Sequence, residues 1–416
     1  MGHTTCSTSN RIIRSFSFVV VFVGLTLLSS CKKDDSTPPT SNNNNQNNPT
    51  DLPSPIPVHA PAIQYPADNQ INTSDPTNDP KVALGRLLFY DGRLSIASGN
   101  GSDSNFSAMN GVSCGSCHIP GNSFTDPKHN QLSFGINHTI GVRNAPNLTN
   151  VAYNKAFTWD GKFTTLEQHV PGPMFSSIEM GNNFSRFSND TTANGYGSSP
   201  GTNDTMFLFK RLQQPGVTQG PSHKSVNYAD YFKAAFGTQE ISLDRIVKAI
   251  ASFERTFIST SSPFDAYNAG SANAISASAK HGFQLFINPD GANCVACHSG
   301  YNFTNGEFRN NGLIPSDQDP GRFKISKSPT DINSFKVPSL RNVALSYPYM
   351  HDGRFATLED VLAHYNSGGS GQTNHDSHIK PLHLSQQDIS DIVEFLKTLT
   401  DVSFTSNPAF VNPWTE

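Results

Sequence analysis

The sequence predicts a mainly α-helical protein with two compact domains and long loops, and three observations lead to that prediction. Three segments, residues 243–257, 357–365 and 385–396, place apolar side chains at the three- and four-residue spacing of one helix face. Alternating patterns typical of half-buried strands are scarce, whereas Gly and Pro are frequent between the helical segments. The chain has 416 residues, which leaves room for two domains of ordinary size.

The first thirty residues have the composition of a secretory signal. Arg11 and Arg14 precede an apolar run over residues 18–28 that is too short for a comfortable membrane-spanning helix. The run leads into Leu-Ser-Ser-Cys31, which resembles the bacterial lipobox, where cleavage leaves the Cys as a lipidated N-terminus. We therefore expect residues 1–30 to be a lipoprotein signal peptide and Cys31 to carry lipid. The alternative is an ordinary signal peptide with an incidental Cys.

Residues 31–75 predict a flexible tether behind the lipid. They are rich in Pro, Ser, Thr and Asn and carry too few apolar side chains to form a core. Cleavage of the signal peptide removes two Arg and no acidic residue, so the net charge changes from −4 to −6. A mildly acidic protein of this kind gives no support for nucleic-acid binding. We expect a periplasm-facing protein anchored by lipid, most simply in the outer membrane. The basic-then-acidic start, Lys32 to Asp35, leaves the cell surface as an alternative.

The pentapeptide Cys-x-x-Cys-His occurs twice. The two copies are Cys114-Gly-Ser-Cys117-His118 and Cys294-Val-Ala-Cys297-His298. The spacing is that of covalent c-type haem attachment, in which two thiols add to the haem vinyl groups and the His binds the iron. Zinc also uses paired Cys-x-x-Cys motifs, but zinc does not require a His after each second Cys, and the two copies lie far apart.

Two haem motifs predict two cytochrome c-like haem domains. We place the N-terminal domain at residues 76–270 and the C-terminal domain at residues 271–416. Of the six cysteines, Cys6 would leave with the signal, Cys31 would carry lipid and the other four would hold haem. No cysteine remains for a disulfide, although an exported protein meets an oxidising compartment.

Two of the three predicted helices open with a capping box, Thr357 with Asp360 and Ser385 with Asp388. The apolar faces of the three helices are Ile246, Val247, Ile250 and Phe253; Leu358, Val361, Leu362 and Tyr365; and Ile389, Ile392, Val393 and Leu396.

A series of short motifs resembles the bacterial di-haem cytochrome c peroxidase family, which includes the MauG-type enzymes. They follow the family's order from about Asp79 to about Thr400, and that order is far more specific than any single motif. Besides the two haem motifs they are residues 84–95, 143–150, 159–162, 166–169, 172–173, 179–180, 249–255, 335–342 and 348–353, and the helix that contains Tyr365. The resemblance implies a peroxidatic haem in the N-terminal domain and an electron-transfer haem in the C-terminal domain.

The resemblance also implies three catalytic residues. Glu179 corresponds to the acid-base that moves protons during O–O cleavage, and desolvation against a haem would favour its neutral form. The second polar residue beside that haem is usually Gln, at the position where this chain has His169, so either His169 or the adjacent Gln168 is expected to face the haem. Trp159 corresponds to the aromatic residue between the haems that relays electrons. The alternatives without a catalytic role are a solvated surface carboxylate for Glu179 and a side chain packed in the core for Trp159.

The sixth ligand of the C-terminal haem distinguishes the family's branches. Peroxidases use Met, MauG-type enzymes use Tyr, and a count without gaps from Phe335 assigns that place to Tyr365. Tyr oxygen is a hard anionic ligand that stabilises ferric iron, whereas Met sulfur raises the potential. Alternatively Tyr365 only packs on its helix face, and Met350 or His364 is the ligand.

At the N-terminal haem, many peroxidases carry a removable distal His, whose position falls on Ile136 here. His129 and His138 lie nearby in the sequence. If neither binds, this haem is five-coordinate and open to peroxide without prior reduction.

A calcium ion between the domains is a further feature that the resemblance implies. Its ligands would be the Asn144 side chain and the backbone carbonyls of Ser346 and Pro348, oxygen atoms that suit a hard cation.

Three functions follow as hypotheses. The first is a cytochrome-c peroxidase that reduces hydrogen peroxide to water with electrons from a small periplasmic cytochrome or cupredoxin. The second is a MauG-like, peroxide-driven oxidase that acts on a partner protein, and the third is a non-catalytic di-haem electron carrier. Tyr365 favours the second over the first, and the context of Glu179 disfavours the third. Since most of the resemblance is to peroxidases, we expect peroxidase activity, with the oxidase as the alternative.

Overall fold

The regular structure is mainly helical, as the sequence predicts. The computed structural model describes residues 52–95, 111–128, 131–182, 203–219, 223–314, 319–371 and 374–416, and all of them belong to one compact unit. The predicted signal peptide, Cys6, Cys31, His129 and the tether up to residue 51 lie outside the described residues.

Short helices alternate with long loops, and two small antiparallel strand pairs complete the described structure. The helices are α1 Pro80–Phe89, α2 Cys114–Cys117, α3 Leu166–His169, α4 Pro171–Met174, α5 Asn203–Gln213, α6 Tyr228–Phe236, α7 Leu243–Glu254, α8 Pro263–Asn268, α9 Ala277–Ile287, α10 Phe323–Ser326, α11 Leu358–Asn366, α12 Gln386–Lys397 and α13 Val402–Thr405. The strands are β1 Gly216–Val217, β2 Ser225–Val226, β3 Phe308–Arg309 and β4 Phe335–Lys336. Strand β1 pairs with β2 through Gly216 and Val226, and β3 pairs with β4 through Phe308 and Lys336. Within the described ranges, no helix combines the length and the apolar character that crossing a bilayer requires.

All three helices predicted from apolar spacing are confirmed as α7, α11 and α12. Thr357 and Ser385 are the N-caps of α11 and α12, and each forms a capping box with an Asp three residues later. Because each cap satisfies backbone N–H groups that have no partner inside the helix, these helices begin where the sequence signals them.

Each half of the molecule contains a close helix crossing at a glycine. A Cβ atom on Gly85 of α1 would lie 1.9 Å from the carbonyl oxygen of Ala249 in α7. A Cβ atom on Gly282 of α9 would lie 1.9 Å from the carbonyl oxygen of Asp391 in α12. No side chain fits at either distance, so both helix pairs touch backbone to backbone. The same packing device thus recurs in the N-terminal and C-terminal halves.

Two apolar cores surround these crossings. The first contains α1, α6 and α7, and the second contains α9, α11 and α12. Each end of the described chain packs in the core of the other half. Ile56, near the N-terminal end, is buried in the second core, and Trp414, near the C-terminal end, is buried in the first. The Trp414 indole donates a hydrogen bond of 2.9 Å to the carbonyl oxygen of Leu87. This architecture confirms the predicted fold class, and the predicted boundaries between the domains stay a prediction.

Candidate functional site

The two haem motifs occupy short turns with all four thiols free. Residues Cys114–Cys117 form α2, which Ser113 precedes as N-cap, and residues Cys294–Ala296 form a single 3-10 turn. The four cysteines are partly buried and form no disulfide with one another. Burial raises the pKa of the Cys294 thiol to about 12 and that of the Cys117 thiol to about 11.

Both motif histidines are held in the same tautomer. The His118 Nδ1 atom lies 2.7 Å from the carbonyl oxygen of Phe124, and the His298 Nδ1 atom lies 3.0 Å from that of Phe303. A carbonyl only accepts, so each Nδ1 donates and each Nε2 keeps its lone pair for a metal. Burial lowers the pKa of both imidazoles and favours the neutral form that iron requires. Both sites therefore fit a c-type haem on the proximal side.

A cavity of about 210 Å³ adjoins the second motif. It is lined by Cys294, Cys297 and His298, and also by Met350 and Tyr365. Its remaining walls are largely apolar and include Phe286, Val337, Leu340, Leu358, Leu362 and Ile392. This cavity suits a porphyrin, because it combines two thiols, a histidine with a free Nε2 atom and an apolar wall. The second site therefore fits haem as a whole and not only on the histidine side.

Tyr365 and Met350 share this cavity and a hydrogen-bond partner. Burial raises the pKa of Tyr365 to about 12, and a hydrogen bond from the Asn311 side chain acts in the opposite direction. The Asn311 amide also lies 3.6 Å from the Met350 sulfur. The His364 Nε2 atom instead lies 2.9 Å from the Asn311 carbonyl oxygen, to which it donates. Of the three ligand candidates, the structure places Tyr365 and Met350 in the cavity with His298.

His169 lies close to the first haem motif. Its ring packs between Phe157 and Phe163, and its buried Nδ1 atom has no hydrogen-bond partner among the described residues. Burial, together with the smaller effects of His118 and Lys336, lowers its pKa to about 4. His169 is therefore neutral at physiological pH, with a nitrogen atom left for a bound group.

The Gln168 side chain is occupied elsewhere. Its Oε1 atom accepts hydrogen bonds from the Thr164 amide at 3.1 Å and the Thr164 hydroxyl at 2.9 Å. The sequence leaves Gln168 and His169 as alternatives, and the structure brings His169 to the first haem site.

Glu179 lies on the turn after α4, at the margin of the same site. Its side chain is exposed, yet desolvation by the surrounding protein raises its pKa, and this outweighs the lowering by a hydrogen bond from Ser176 and by the charge of Lys162. Its own charge adds to the burial that raises the pKa of the Cys114 and Cys117 thiols. Glu179 and the first haem motif are therefore electrostatic neighbours.

The loop over residues 134–140 packs against Glu179. The Ile136 amide donates to the Glu179 carbonyl oxygen at 2.7 Å, and the Ile136 side chain is buried. His138 is exposed, and its ring lies 6.1 Å from the ring of Phe134. Ile136, which cannot bind iron, is thus the residue that the structure places beside Glu179.

Trp159 is held by residues from both halves of the chain. It lines the cavity of the second haem site, and its indole donates to the carbonyl oxygen of Asn144 at 2.8 Å. Its own carbonyl oxygen accepts from the Lys336 amide, also at 2.8 Å. The adjacent Asp160 pairs with Arg143 at 2.8 Å, and Arg143 also pairs with Asp319 at 2.6 Å. These contacts fix Trp159 at the junction of the two halves.

Two of the three predicted calcium ligands touch. The Asn144 Nδ2 atom lies 2.5 Å from the Pro348 carbonyl oxygen, and the Asn144 amide donates to the His351 carbonyl oxygen at 2.7 Å. Ser346 follows a short turn in the same segment, and its hydroxyl bonds to the carbonyl oxygen of Val343. To bind a cation, the Asn144 amide would have to turn its oxygen toward Pro348.

Sequence reasoning missed four side chains around the two sites. They are Arg143, Glu254, Asn311 and Lys336. Three of them stand inside stretches that carry the family resemblance, so a signal was present, but spacing alone does not tell which residues of a stretch are buried beside a haem. Asn311 lies outside those stretches, so nothing in the sequence indicated that it would lie at a haem site.

Family comparisons agree with this geometry. The model of the family described as "Di-haem cytochrome c peroxidase" matches residues 79–273, and the cytochrome c model matches residues 279–400. The chain is 33% identical over 326 residues to the methylamine utilization protein MauG of Methylophilus methylotrophus, covering 78% of this chain and 84% of that protein. It is 31% identical over 334 residues to the cytochrome c551 peroxidase of Nitrosomonas europaea, covering 79% and 83%.

Solved structures extend the likeness to the fold. A MauG-like protein associated with microbial copper homeostasis is 30% identical, with a TM-score of 0.68 over 88% of this chain and 99% of that one. The di-haem peroxidase BthA of Burkholderia thailandensis shares the fold at 20% identity, with a TM-score of 0.62 over 87% and 93%. With two haem-attachment motifs, two tautomer-fixed histidines and matches over most of its length, the chain belongs to the di-haem cytochrome c peroxidase family, which includes MauG, and carries two haem c groups.

Proposed function

We propose that this chain is a cytochrome-c peroxidase that reduces hydrogen peroxide to water at its N-terminal haem, with electrons that enter through its C-terminal haem. The observation that carries the proposal is the difference between the two distal sides. Glu179 and neutral His169 lie near the first haem motif, whereas Tyr365 and Met350 share a cavity with His298. An acid-base at one haem and strong ligands at the other divide the labour between chemistry and electron transfer.

Glu179 is the residue that moves protons. When bound, haem supplies an iron atom that binds peroxide and exchanges electrons with it. The overall reaction consumes two electrons and two protons for each H₂O₂ and yields two water molecules. The raised pKa of Glu179 keeps more of its carboxyl protonated near neutral pH, so an oxygen of this carboxyl can hold a proton for the departing water.

His169 orients peroxide without adding charge. Because its pKa is lowered to about 4, the imidazole is a neutral hydrogen-bonding group at physiological pH. Its unpartnered Nδ1 atom is available to peroxide or to an ordered water molecule.

Trp159 relays electrons between the haems. Its position in the second haem cavity and its hydrogen bonds to Asn144 and Lys336 support this role. The donor is a small periplasmic cytochrome or cupredoxin, in keeping with the peroxidases among the relatives.

A second candidate function is a MauG-like oxidase that uses peroxide to oxidise a partner protein. The presence of Tyr365 in the second cavity favours it, since tyrosinate ligation stabilises ferric and higher oxidation states of iron. The similarity to MauG and to a MauG-like protein of known structure is in keeping with this candidate.

The deciding experiment measures peroxide consumption by the purified holoprotein with a reduced small cytochrome as donor, together with low-temperature EPR of the ferric protein before and after stoichiometric peroxide. Donor oxidation at two electrons per peroxide supports the peroxidase. Loss of a high-spin signal without sustained donor oxidation supports the oxidase. Two low-spin signals that peroxide leaves unchanged, even after partial reduction, would eliminate both functions.

We also propose a calcium ion held by the Asn144 side chain and the carbonyl oxygens of Ser346 and Pro348. The contact between Asn144 and Pro348 supports it, because that segment already brings the two groups together. Chelation should lower peroxidase activity, and added Ca²⁺, but not Mg²⁺, should restore it, since Ca²⁺ accepts irregular carbonyl ligands. Activity that withstands exhaustive chelation, with no calcium detected by elemental analysis, would contradict the site.

The proposed location is the periplasmic side of the outer membrane, through a lipid on Cys31. The signal-like residues 1–30 and the tether that follows support it. Mass spectrometry of the mature protein should find an acylated Cys31 as the N-terminus. A Cys31→Ser variant should appear in the soluble fraction, and an unmodified, internal Cys31 would contradict the anchor.

A further inference from the structure

Lys336 is a half-buried cation that has no partner in the described part of the chain. It is the second residue of β4, and its pKa is lowered to about 8 because the protein buries it. Within the described ranges, its ammonium group forms neither a hydrogen bond nor an ion pair. Since transfer of a charge from water into protein is costly unless an opposite charge compensates it, such a group needs an explanation.

The arginine side chains nearest the two sites have acidic partners. Arg143 binds Asp160 and Asp319, Arg255 binds Glu167, Arg309 binds Glu307 and Asp376, and Arg341 binds Asp265. All of these acids belong to the chain itself. Lys336 differs because the described chain supplies it with no acid.

The position of Lys336 indicates where the missing anion lies. Lys336 lines the same cavity as Trp159, His298 and Tyr365. Its backbone amide donates to the Trp159 carbonyl oxygen at 2.8 Å. Its charge also lowers the pKa of His169, so the ammonium lies on the side of the cavity toward the first haem site.

Haem c brings its own anions. Attachment to Cys294 and Cys297 consumes the two vinyl groups, and the two propionate side chains remain as carboxylates. A carboxylate that enters a largely apolar cavity needs a cation as much as the half-buried Lys336 ammonium needs an anion.

We propose that the Lys336 ammonium is the counter-ion of a propionate on the C-terminal haem. The pair fixes the propionate edge of that haem beside Trp159, where an electron leaves for the N-terminal site. A cation at the haem edge also favours the ferrous over the ferric form, because the ferric haem carries one more positive charge. Lys336 is therefore a positioning residue that raises the reduction potential of the C-terminal haem.

The test compares Lys336→Met with Lys380→Met in the purified di-haem protein. Lys380 also lines the cavity but is exposed, so its removal deletes the same charge where water screens it. The pyridine haemochrome assay establishes two haems per chain, and spectroelectrochemical titration gives the potential of each haem. This readout does not depend on peroxidase activity, so it stays valid whatever becomes of the proposed function.

We expect Lys336→Met to lower the reduction equilibrium constant of the C-terminal haem about tenfold, or about 59 mV for a one-electron couple. Lys380→Met should change it less than twofold, and Lys336→Arg should restore most of the loss. Should Lys336→Met fail to retain haem, Lys336→Gln removes the charge with a polar side chain. The proposal is overturned if the neutral variant shifts the C-terminal potential no more than Lys380→Met does. It is also overturned if only the N-terminal haem shifts, since its propionate would then be the partner.

Discussion

The two haem sites share one proximal design and differ on the distal side. In each, a Cys-x-x-Cys-His turn presents a histidine whose Nδ1 donates to the carbonyl oxygen of a fully buried Phe five or six residues later. The cavity that contains His298 also contains Tyr365 and Met350, whereas Glu179 and His169 lie near the first haem motif. Haem attachment is thus a local property of the motif. The chemistry of each iron depends instead on residues that come from elsewhere in the chain.

We expect Glu179→Gln to have the strongest effect, because it removes the proposed acid-base of the N-terminal site. We expect kcat/KM for peroxide to fall about 10²- to 10⁴-fold, because Gln cannot exchange a proton with the reacting oxygens. Both haems should stay attached, which absorption spectra check. Glu394→Gln, on a partly exposed carboxylate of α12, is the matched control and should leave turnover unchanged. Equal turnover in the two variants would remove Glu179 from the reaction.

The next prediction concerns the stability effect of Glu254, a buried acid near the first haem motif. Burial of the Cys114 thiol raises the pKa of that thiol, and the charge of Glu254 raises it as well. Burial raises the pKa of Glu254 itself to about 8. Between pH 4.5 and 8 this carboxyl holds a proton in the folded chain but not in the unfolded chain, so the free energy of unfolding falls as pH rises through that window. Gln resembles the neutral carboxyl, so Glu254→Gln should raise the free energy of unfolding by about 2–3 kcal/mol at pH 7 and have no effect below pH 4.

Guanidinium denaturation of the holoprotein at several pH values measures this difference. Glu167→Gln is the control of opposite sign, because Glu167 is paired with Arg255 at 2.6 Å and its loss leaves that cation buried. A Glu254→Gln variant that is destabilised at pH 7 would mean that the carboxylate form is the one the fold requires.

Tyr365→Phe should alter only the C-terminal site. If Tyr365 is the axial ligand, its loss opens a coordination position, adds a high-spin signal to the resting EPR spectrum and raises the potential of this haem on the order of 100 mV. Tyr231→Phe, on a partly buried tyrosine of α6, controls for loss of a phenol. An unchanged resting spectrum would transfer the assignment to Met350, which lies in the same cavity.

The smallest expected effect comes from Asn311→Leu. The Asn311 amide donates to Tyr365 and lies 3.6 Å from the Met350 sulfur, so it stabilises electron density on whichever atom binds the iron. Loss of one such hydrogen bond costs about 1 kcal/mol. The free energy of reducing the C-terminal haem should become less favourable by the same amount, which lowers its potential. Spectroelectrochemical titration measures it, with the exposed Asn305→Leu as control. A shift in the N-terminal haem instead would contradict the separation of the two sites.

Local signals made several features predictable from sequence. The capping boxes at Thr357 and Ser385 and the apolar stripe of α7 specify those helices, since caps and periodicity act within a few residues. The choice between Gln168 and His169 could not be made in the same way. Both lie on a four-residue helix, and only the packing of Phe157 and Phe163 around one ring shows which side chain reaches the haem site.

By itself, the sequence determined the two haem attachments, the helical class and the family, because these depend on residue types at short fixed spacing. Only the tertiary structure decided which side chains share a site. It brings Trp159 against Asn144 and Lys336, places Tyr365 with Met350, and leaves the Lys336 ammonium without a counter-ion from the described chain. Burial and charge compensation depend on contacts between residues far apart in the sequence, and spacing along the chain does not encode those contacts.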